Sequence, residues 1–337
     1  MDKENIKVTN AIVHILDSSL DVPVLSNELL DLNEEIEDFI KIHIFKILSG
    51  DNYKVTQLDD HDNYCYKELK AYLGNNDFIA ATENLSLQLF SLMKKNVDIP
   101  AADIIFTTFN YEGDSYFSML KMNYKSSYIH FVETIDTGTK NTIVKQKTVL
   151  PSEAQSLEEV IIIDLDDFSV KLVEKKYLIN GEKEYYLSQY YLGCQPELSS
   201  KSKLDIVTKT ADRINKKHFN DDIEKKMQFK KILLDNYEAN GTVNVDNVIN
   251  EVFENNIDVK NEFKEKIMNQ GLDKKEFQIQ SKSSFKKLER QVIKTDTGIE
   301  INIPLDQYGD RDRLEFITNT DGTISILIKN VGKLIGR

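Results

Sequence analysis

No apolar run in this 337-residue chain approaches the roughly 20 residues that a membrane-spanning helix needs. The opening MDKENIKVTN is charged and lacks the apolar centre of a signal peptide. Cysteine is scarce. Cys65 and Cys194 are the only two, without metal-type spacing, which argues against a disulfide framework and predicts a reducing, cytoplasmic setting. Catalytic signatures are missing too. There is no G-x-x-x-x-G-K-[ST] loop, because Gly332-Lys333 is followed by leucine, and no G-x-G-x-x-G, H-E-x-x-H, C-x-x-C or G-x-S-x-G. Five histidines and two cysteines lie scattered, so no nucleophilic triad can be assembled. The chain therefore reads as non-enzymatic, with no cofactor and no membrane partner. Internal repeats and low-complexity tracts are absent as well.

What is present is enough to build cores. The apolar fraction is 40% and the length suggests two domains. The formal net charge is −13, from 56 acids against 43 Lys and Arg. That sum disfavours nucleic acid as a partner, but binding depends on where charge sits.

The densest β-branched and aromatic run is Asp103 to Ile135. Strands at Asp103–Phe109, Tyr116–Asn123 and Tyr128–Ile135, broken by Glu112-Gly113-Asp114 and by Lys125-Ser126-Ser127, predict an antiparallel meander, the central sheet of the first domain. Before it, Ile6–Leu16 reads as a strand. Glu34–Leu48 reads as a helix with acids in its first turn and Ile36, Phe39, Ile40, Ile44 and Ile47 on one face. His43 lies near that face and reads as a core-edge histidine. Asp51–Asn63 reads as an acidic loop, with Asp59, Asp60, His61 and Asp62 solvated. Phe78–Lys95 reads as the second helix.

After the meander, Asn141–Leu150 reads as another strand, ended by Pro151. Val160–Asp167 is an apolar strand closed by acids, and Asp164 and Asp166 make the best candidate pair for a catalytic divalent metal. No third acid or lysine follows at a matching spacing, so strand-end solubility is the competing reading, and no metal site is assigned. Asn180-Gly181 predicts a hairpin within Lys171–Tyr186. The aromatic run Tyr185–Leu192 reads as core or as a contact surface.

Gly193–Ser200 reads as a boundary between an N-terminal α+β domain, residues 1–195, and a C-terminal domain, residues 200–337. Beyond it the charge changes. From Lys201 to Lys231 ten basic residues face five acids. Ser200–Phe219 reads as a helix with a stripe of Leu204, Val207, Ala211, Ile214 and His218, and its other positions carry Lys201, Lys203, Lys209, Arg213, Lys216 and Lys217. Asp222–Tyr237, Val245–Phe253 and Val259–Met268 read as further helices. A second basic run holds Lys282, Lys286, Lys287, Arg290 and Lys294. Two hairpins follow, turning at Asp296-Thr297-Gly298 and at Asp321-Gly322. The predicted fold class is α+β: an antiparallel or mixed sheet with packed helices, then a helical region and C-terminal β-hairpins.

The order of these pieces carries a resemblance. The strand IKVTNAIVHIL is followed by the helix EDFIKIHIFKIL and the hairpin DIIFTTFNYEGDSYFSMLKMNY. Then come IIIDLDDF, the segment ending YYLG, and the tail RQVIKTDTGIEINIPLDQYGDRDRLEFITNTDGTISILIKN. Together they resemble the bacterial nucleoid-associated protein family known as NdpA or YejK, over nearly the whole chain. The resemblance implies a cytoplasmic protein at the nucleoid that contacts DNA, and it implies no catalytic motif. Local charge then assigns the phosphate contacts to Lys201, Lys203, Lys209, Arg213, Lys216, Lys217, Lys282, Lys286, Lys287, Arg290 and Lys294, on double-stranded DNA with little sequence preference. Two alternatives stand beside it. One is an acidic interaction protein, brought to the nucleoid or to a DNA-processing or phage-defence assembly by a partner that touches the first domain and segment 185–192. The other is a metal-dependent nuclease at Asp164 and Asp166. A homodimer would suit a weak electrostatic binder, because two linked sites add avidity.

Overall fold

The computed structural model describes residues 2–58, 63–136, 138–254, 256–286 and 288–335, with Asn240 described by its backbone alone. The chain divides into two compact units, Met1–Glu197 and Leu198–Arg337. No helix among the described residues is long and apolar enough to cross a membrane.

The first unit runs β1 (Lys7–Leu16), α1 (Glu34–Leu48), β2 (Lys54–Gln57), α2 (Tyr64–Asn75), α3 (Phe78–Lys95), β3 (Ala102–Tyr111) and β4 (Asp114–Asn123). It continues with β5 (Lys125–Ile135), β6 (Gly138–Val149), β7 (Val160–Asp164), β8 (Ser169–Val173), β9 (Lys176–Ile179) and β10 (Glu182–Tyr185). Six strands form one sheet in the order β1-β3-β4-β7-β8-β2. Every pairing in it is antiparallel.

Side-chain alternation along the strands feeds two cores. Phe117 and Met119 of β4 join Ile12, Phe106, Ile161 and Leu172 beneath α2 and α3, which contribute Leu69, Leu85 and Leu89. Leu120 and Met122 face the other way and join Ile105, Phe109 and Ile162 beneath α1, which contributes Ile40, Ile44 and Ile47. The sheet is thus buried on both faces between helical layers, which is why its strands read as near-continuous apolar runs. The helices begin where side-chain caps are available. The Asn33 carboxamide accepts from the Ile36 amide before α1, and the Asp77 carboxylate accepts from the Ala80 amide before α3. His43 is buried in the α1 core, its ring edge-on to Phe39 at a centroid distance of 4.7 Å.

The structure departs from the sequence reading at three places in this unit. First, the meander stops at two strands. β5 leaves the sheet and pairs only with β6, as a separate two-stranded arm. Second, β2 lies within the stretch read as loop. It is a four-residue edge strand on β8, too short for its alternation to register. Asp59, Asp60, His61 and Asp62 lie outside the described residues. Third, α2 follows directly, capped by Asn63 and ended by Asn76 in the left-handed region at φ 57°. The Asn180-Gly181 turn does form, with φ of 50° and 91°, between β9 and β10.

The second unit holds α4 (Ser200–His218), α5 (Ile223–Asn240), β11 (Thr242–Asn244), α6 (Val245–Val252), α7 (Ile257–Met268) and β12 (Glu276–Gln278). Two hairpins follow, β13 (Arg290–Lys294) with β14 (Glu300–Pro304), and β15 (Leu314–Thr318) with β16 (Ile324–Ile328). Val207, Ile214, Leu233, Val248, Phe263, Phe277 and Phe285 form its main core. Met227 of α5 anchors the hairpins through Ile303, Leu305 and Leu314.

Candidate nucleic-acid interface

The basic helix is α4. Ser199 caps it by accepting from the Ser202 amide, and Leu204, Val207, Ala211 and Ile214 bury one stripe. Lys216 and Lys217 stand in the last turn, where the helix dipole favours cations. At about 100° per residue, Lys209, Arg213 and Lys216 follow one another at i, i+4 and i+7 on the solvent side, with Lys201 two turns earlier at its edge. Among the described residues Lys201, Arg213 and Lys216 have no anionic partner, and Lys209 approaches Asp205 only at 3.9 Å.

Other members of the basic set are already engaged. Lys217 donates to both carboxylate oxygens of Glu262 on α7 at 2.9 Å. His218 meets the same carboxylate at 2.8 Å, so it is a surface group and not the end of the apolar stripe that the sequence predicts. Hydrogen bonds from Lys217 and His218 hold the Glu262 carboxyl down to about 2. The lysines of α5 are half-buried. Lys226 pairs with Asp212 at 3.2 Å and Lys231 with Asp235 at 2.6 Å. Lys230 donates to Gln291, and burial lowers its pKa. Much of the basic excess from Lys201 to Lys231 is therefore neutralised within the fold, and the exposed remainder sits on α4.

The second run, Lys282 to Lys294, is held against α5, where Phe285 stacks on Tyr237 at 4.1 Å. Lys282, Lys286 and Arg290 are exposed, and Lys294 pairs with Glu300 across the hairpin at 3.4 Å. Lys287 lies outside the described residues. Over the whole chain the acid excess belongs to one unit. Residues 1–197 carry 33 acids against 18 lysines, whereas residues 198–337 carry 23 acids against 25 Lys and Arg.

The alternative sites resolve into structure. The strand read over Val160–Asp167 stops at Asp164, and Asp166 lies in the following turn, so the two acids do not share a strand face. The Asp164 carboxylate accepts from the Asp166 amide, and Asp167 accepts from Ser169, so these acids shape the turn into β8. Among the described residues no three His, Cys, Asp or Glu side chains gather as a metal ion would require. The aromatic segment is core. Tyr186, Leu187, Tyr191 and Leu192 are buried under α2 and α3, and Tyr190 alone of its tyrosines is clearly exposed.

One constellation is not anticipated from the sequence. Lys121 of β4 and Glu159 are fully buried and paired at 2.7 Å. Glu159 Oε2 also accepts from Asn123 at 2.7 Å and from Tyr177 at 2.8 Å, and Oε1 accepts from Tyr186 at 2.5 Å. Burial opposes ionisation of Glu159, but the Lys121 charge and these hydrogen bonds outweigh it and lower the carboxyl pKa. Burial lowers Lys121 as well. No substrate could reach these groups, so the network is structural. Its signal in the sequence is parity, because Lys121 shares the strand face of Phe117 and Met119, which is apolar.

Two comparisons with known proteins complete the description. A family model described as nucleoid-associated protein YejK matches residues 12–335. A search of the curated proteins finds no match.

Proposed function

The chain belongs to the family of the nucleoid-associated protein YejK, and from that premise we propose that it works at the nucleoid by binding double-stranded DNA directly, through its second unit. The observation that carries the reading is the exposed cation row Lys209, Arg213 and Lys216 on α4, with Lys201 beside it, in a unit that lacks the acid excess of the first. From Lys201 to Lys216 these cations span about 20 Å of helix, over which a duplex offers several phosphates on each strand. Lys203, Lys282, Lys286 and Arg290 add cations elsewhere in the same unit, whereas Lys217 and Lys294 are already paired with Glu262 and Glu300 and Lys287 lies outside the described residues. Contacts made to phosphates rather than to base edges carry no sequence information, so binding shows little sequence preference. The role is non-enzymatic and cytoplasmic.

Fluorescence anisotropy with a labelled duplex across a salt series tests this. Four to six phosphate contacts give a slope of log K against log salt of about −4 to −5. Changing Lys209, Arg213 and Lys216 together to Glu should abolish binding at moderate salt. Changing Lys216 alone to Gln should weaken all sequences alike and reduce the slope by about one. Absence of binding at low salt would refute direct contact and leave recruitment by a partner.

A further inference from the structure

The arm formed by β5 and β6 has no role in that reading. It prolongs the central β4–β7 pair outward. Leu120 and Val160 make the last ladder pair, the Lys121 amide then donates to the Glu159 carbonyl, and the arm starts at Lys125 opposite Val149. The buried Lys121–Glu159 network thus fixes its root. Every residue of β5 is exposed, as is nearly all of β6. Among the described residues no other element packs along the arm.

Its composition does not suit water. Ile129, Phe131, Ile135 and Val144 lie on one face, and Tyr128, Val132 and Ile143 on the other, with Phe131 52% and Ile143 74% exposed. A lone two-stranded ribbon is marginally stable, and apolar surface of this extent marks a contact surface. We propose that the arm seats on the first unit of a second copy of this chain, the two copies exchanging arms.

Charge selects that occupant. The arm, residues 125–149, carries four lysines against Glu133 and Asp136, whereas the rest of residues 1–197 carries 31 acids against 14 lysines. The protein's own body is the complementary surface. Size agrees. The 11 residues of β5 and 12 of β6 match the roughly 20–30 residues that one side of a standard interface contributes. Reciprocal exchange doubles that and closes a two-fold dimer, the commonest symmetric assembly. DNA suits the arm less well. A ribbon entering a groove leads with its tip, and this one carries Ile135 and Asp136, with Glu133 set opposite Lys140 just behind, so it presents no net positive charge.

Sedimentation velocity on the full-length protein, at low micromolar concentration and moderate salt, decides it. The wild type should run at twice the 38.9 kDa of the chain. Phe131→Asp and Ile143→Lys, on opposite faces and both exposed, should keep the wild-type circular dichroism and raise the dimer Kd at least 100-fold. A photo-crosslinking residue at position 131 should capture the first unit of an isotopically distinct partner chain. A monomeric wild type, or a dimer unaffected by both substitutions, overturns the proposal. Loss of DNA affinity in these variants from a wild type that is monomeric would mark the arm as a DNA ribbon instead. The α4 substitutions should leave the dimer intact, so failure of either reading is separable from the other.

Discussion

Removing Lys121 should cost the first unit more than any surface change. In Lys121→Met the Glu159 carboxylate stays fully buried and loses its paired cation, while Asn123, Tyr177 and Tyr186 still donate to it. Stripping one partner from a buried ion pair costs about 3–5 kcal/mol. The three remaining hydrogen bonds to a charged acceptor hold the loss to roughly the lower half of that range. With a urea m-value of about 3 kcal/mol per molar, the upper end for a unit of this size, the midpoint falls by about 1 M. Hydrogen exchange with mass spectrometry in urea reads it locally, from peptides of β3, β4 and β7, without assuming that the two units unfold together. The double variant Lys121→Met, Glu159→Gln removes both charges and should recover most of the midpoint. Glu159 also sets an acid limit. Its folded pKa lies below 4.5, so its contribution is complete above the unfolded value and is lost as pH falls through the folded one. A single variant within about 0.2 M of wild type, or a double variant no better than the single, would refute the reasoning.

Two further outcomes follow from buried titratable groups. His14 is fully buried, accepts from the Ser26 amide and so donates from Nε2 to Thr82; burial pushes its pKa down to about 4. The unfolded chain takes up this proton near 6.5, so stability is complete above that value and declines by roughly 3 kcal/mol as pH falls from 6.5 to about 4, a slope that urea midpoints of wild type and His14→Gln should separate. Cys65 is buried and its thiol is pushed up to about 12, so alkylation at pH 8 followed by mass spectrometry should modify half-buried Cys194 well before Cys65.

What could be read from the sequence was what local chemistry decides. The range Glu34–Leu48 matches α1, and Phe78–Lys95 matches α3, because an Asn or Asp cap precedes a clear apolar face in each. Helix α2 was hidden because Tyr64–Asn75 mixes aromatics and lysines around its circumference, with only Cys65, Leu69 and Tyr72 buried. The β5 strand misled for a different reason. Its alternation of apolar and polar residues is that of a sheet strand, and alternation cannot report that both its faces stay exposed among the described residues. The cation row of α4 was legible by position, but its neutralisation was not. Glu262 lies 45 residues from Lys217, and no local rule pairs them.

The edges of the six-stranded sheet limit how these molecules can join. Outside β1, the chain from Asp17 to Leu30 folds back, so that Ile15 exchanges hydrogen bonds with Val24 and the Leu30 amide donates to Ala11. Outside β2, the Glu197 amide occupies the Val55 carbonyl. Part of each edge of this sheet is therefore already occupied, which leaves a neighbouring chain less open ladder there for strand-on-strand stacking. Copies brought close together can then meet side by side without readily zipping their central sheets into a filament, which leaves lasting union to features that project from the sheet rather than to its rims.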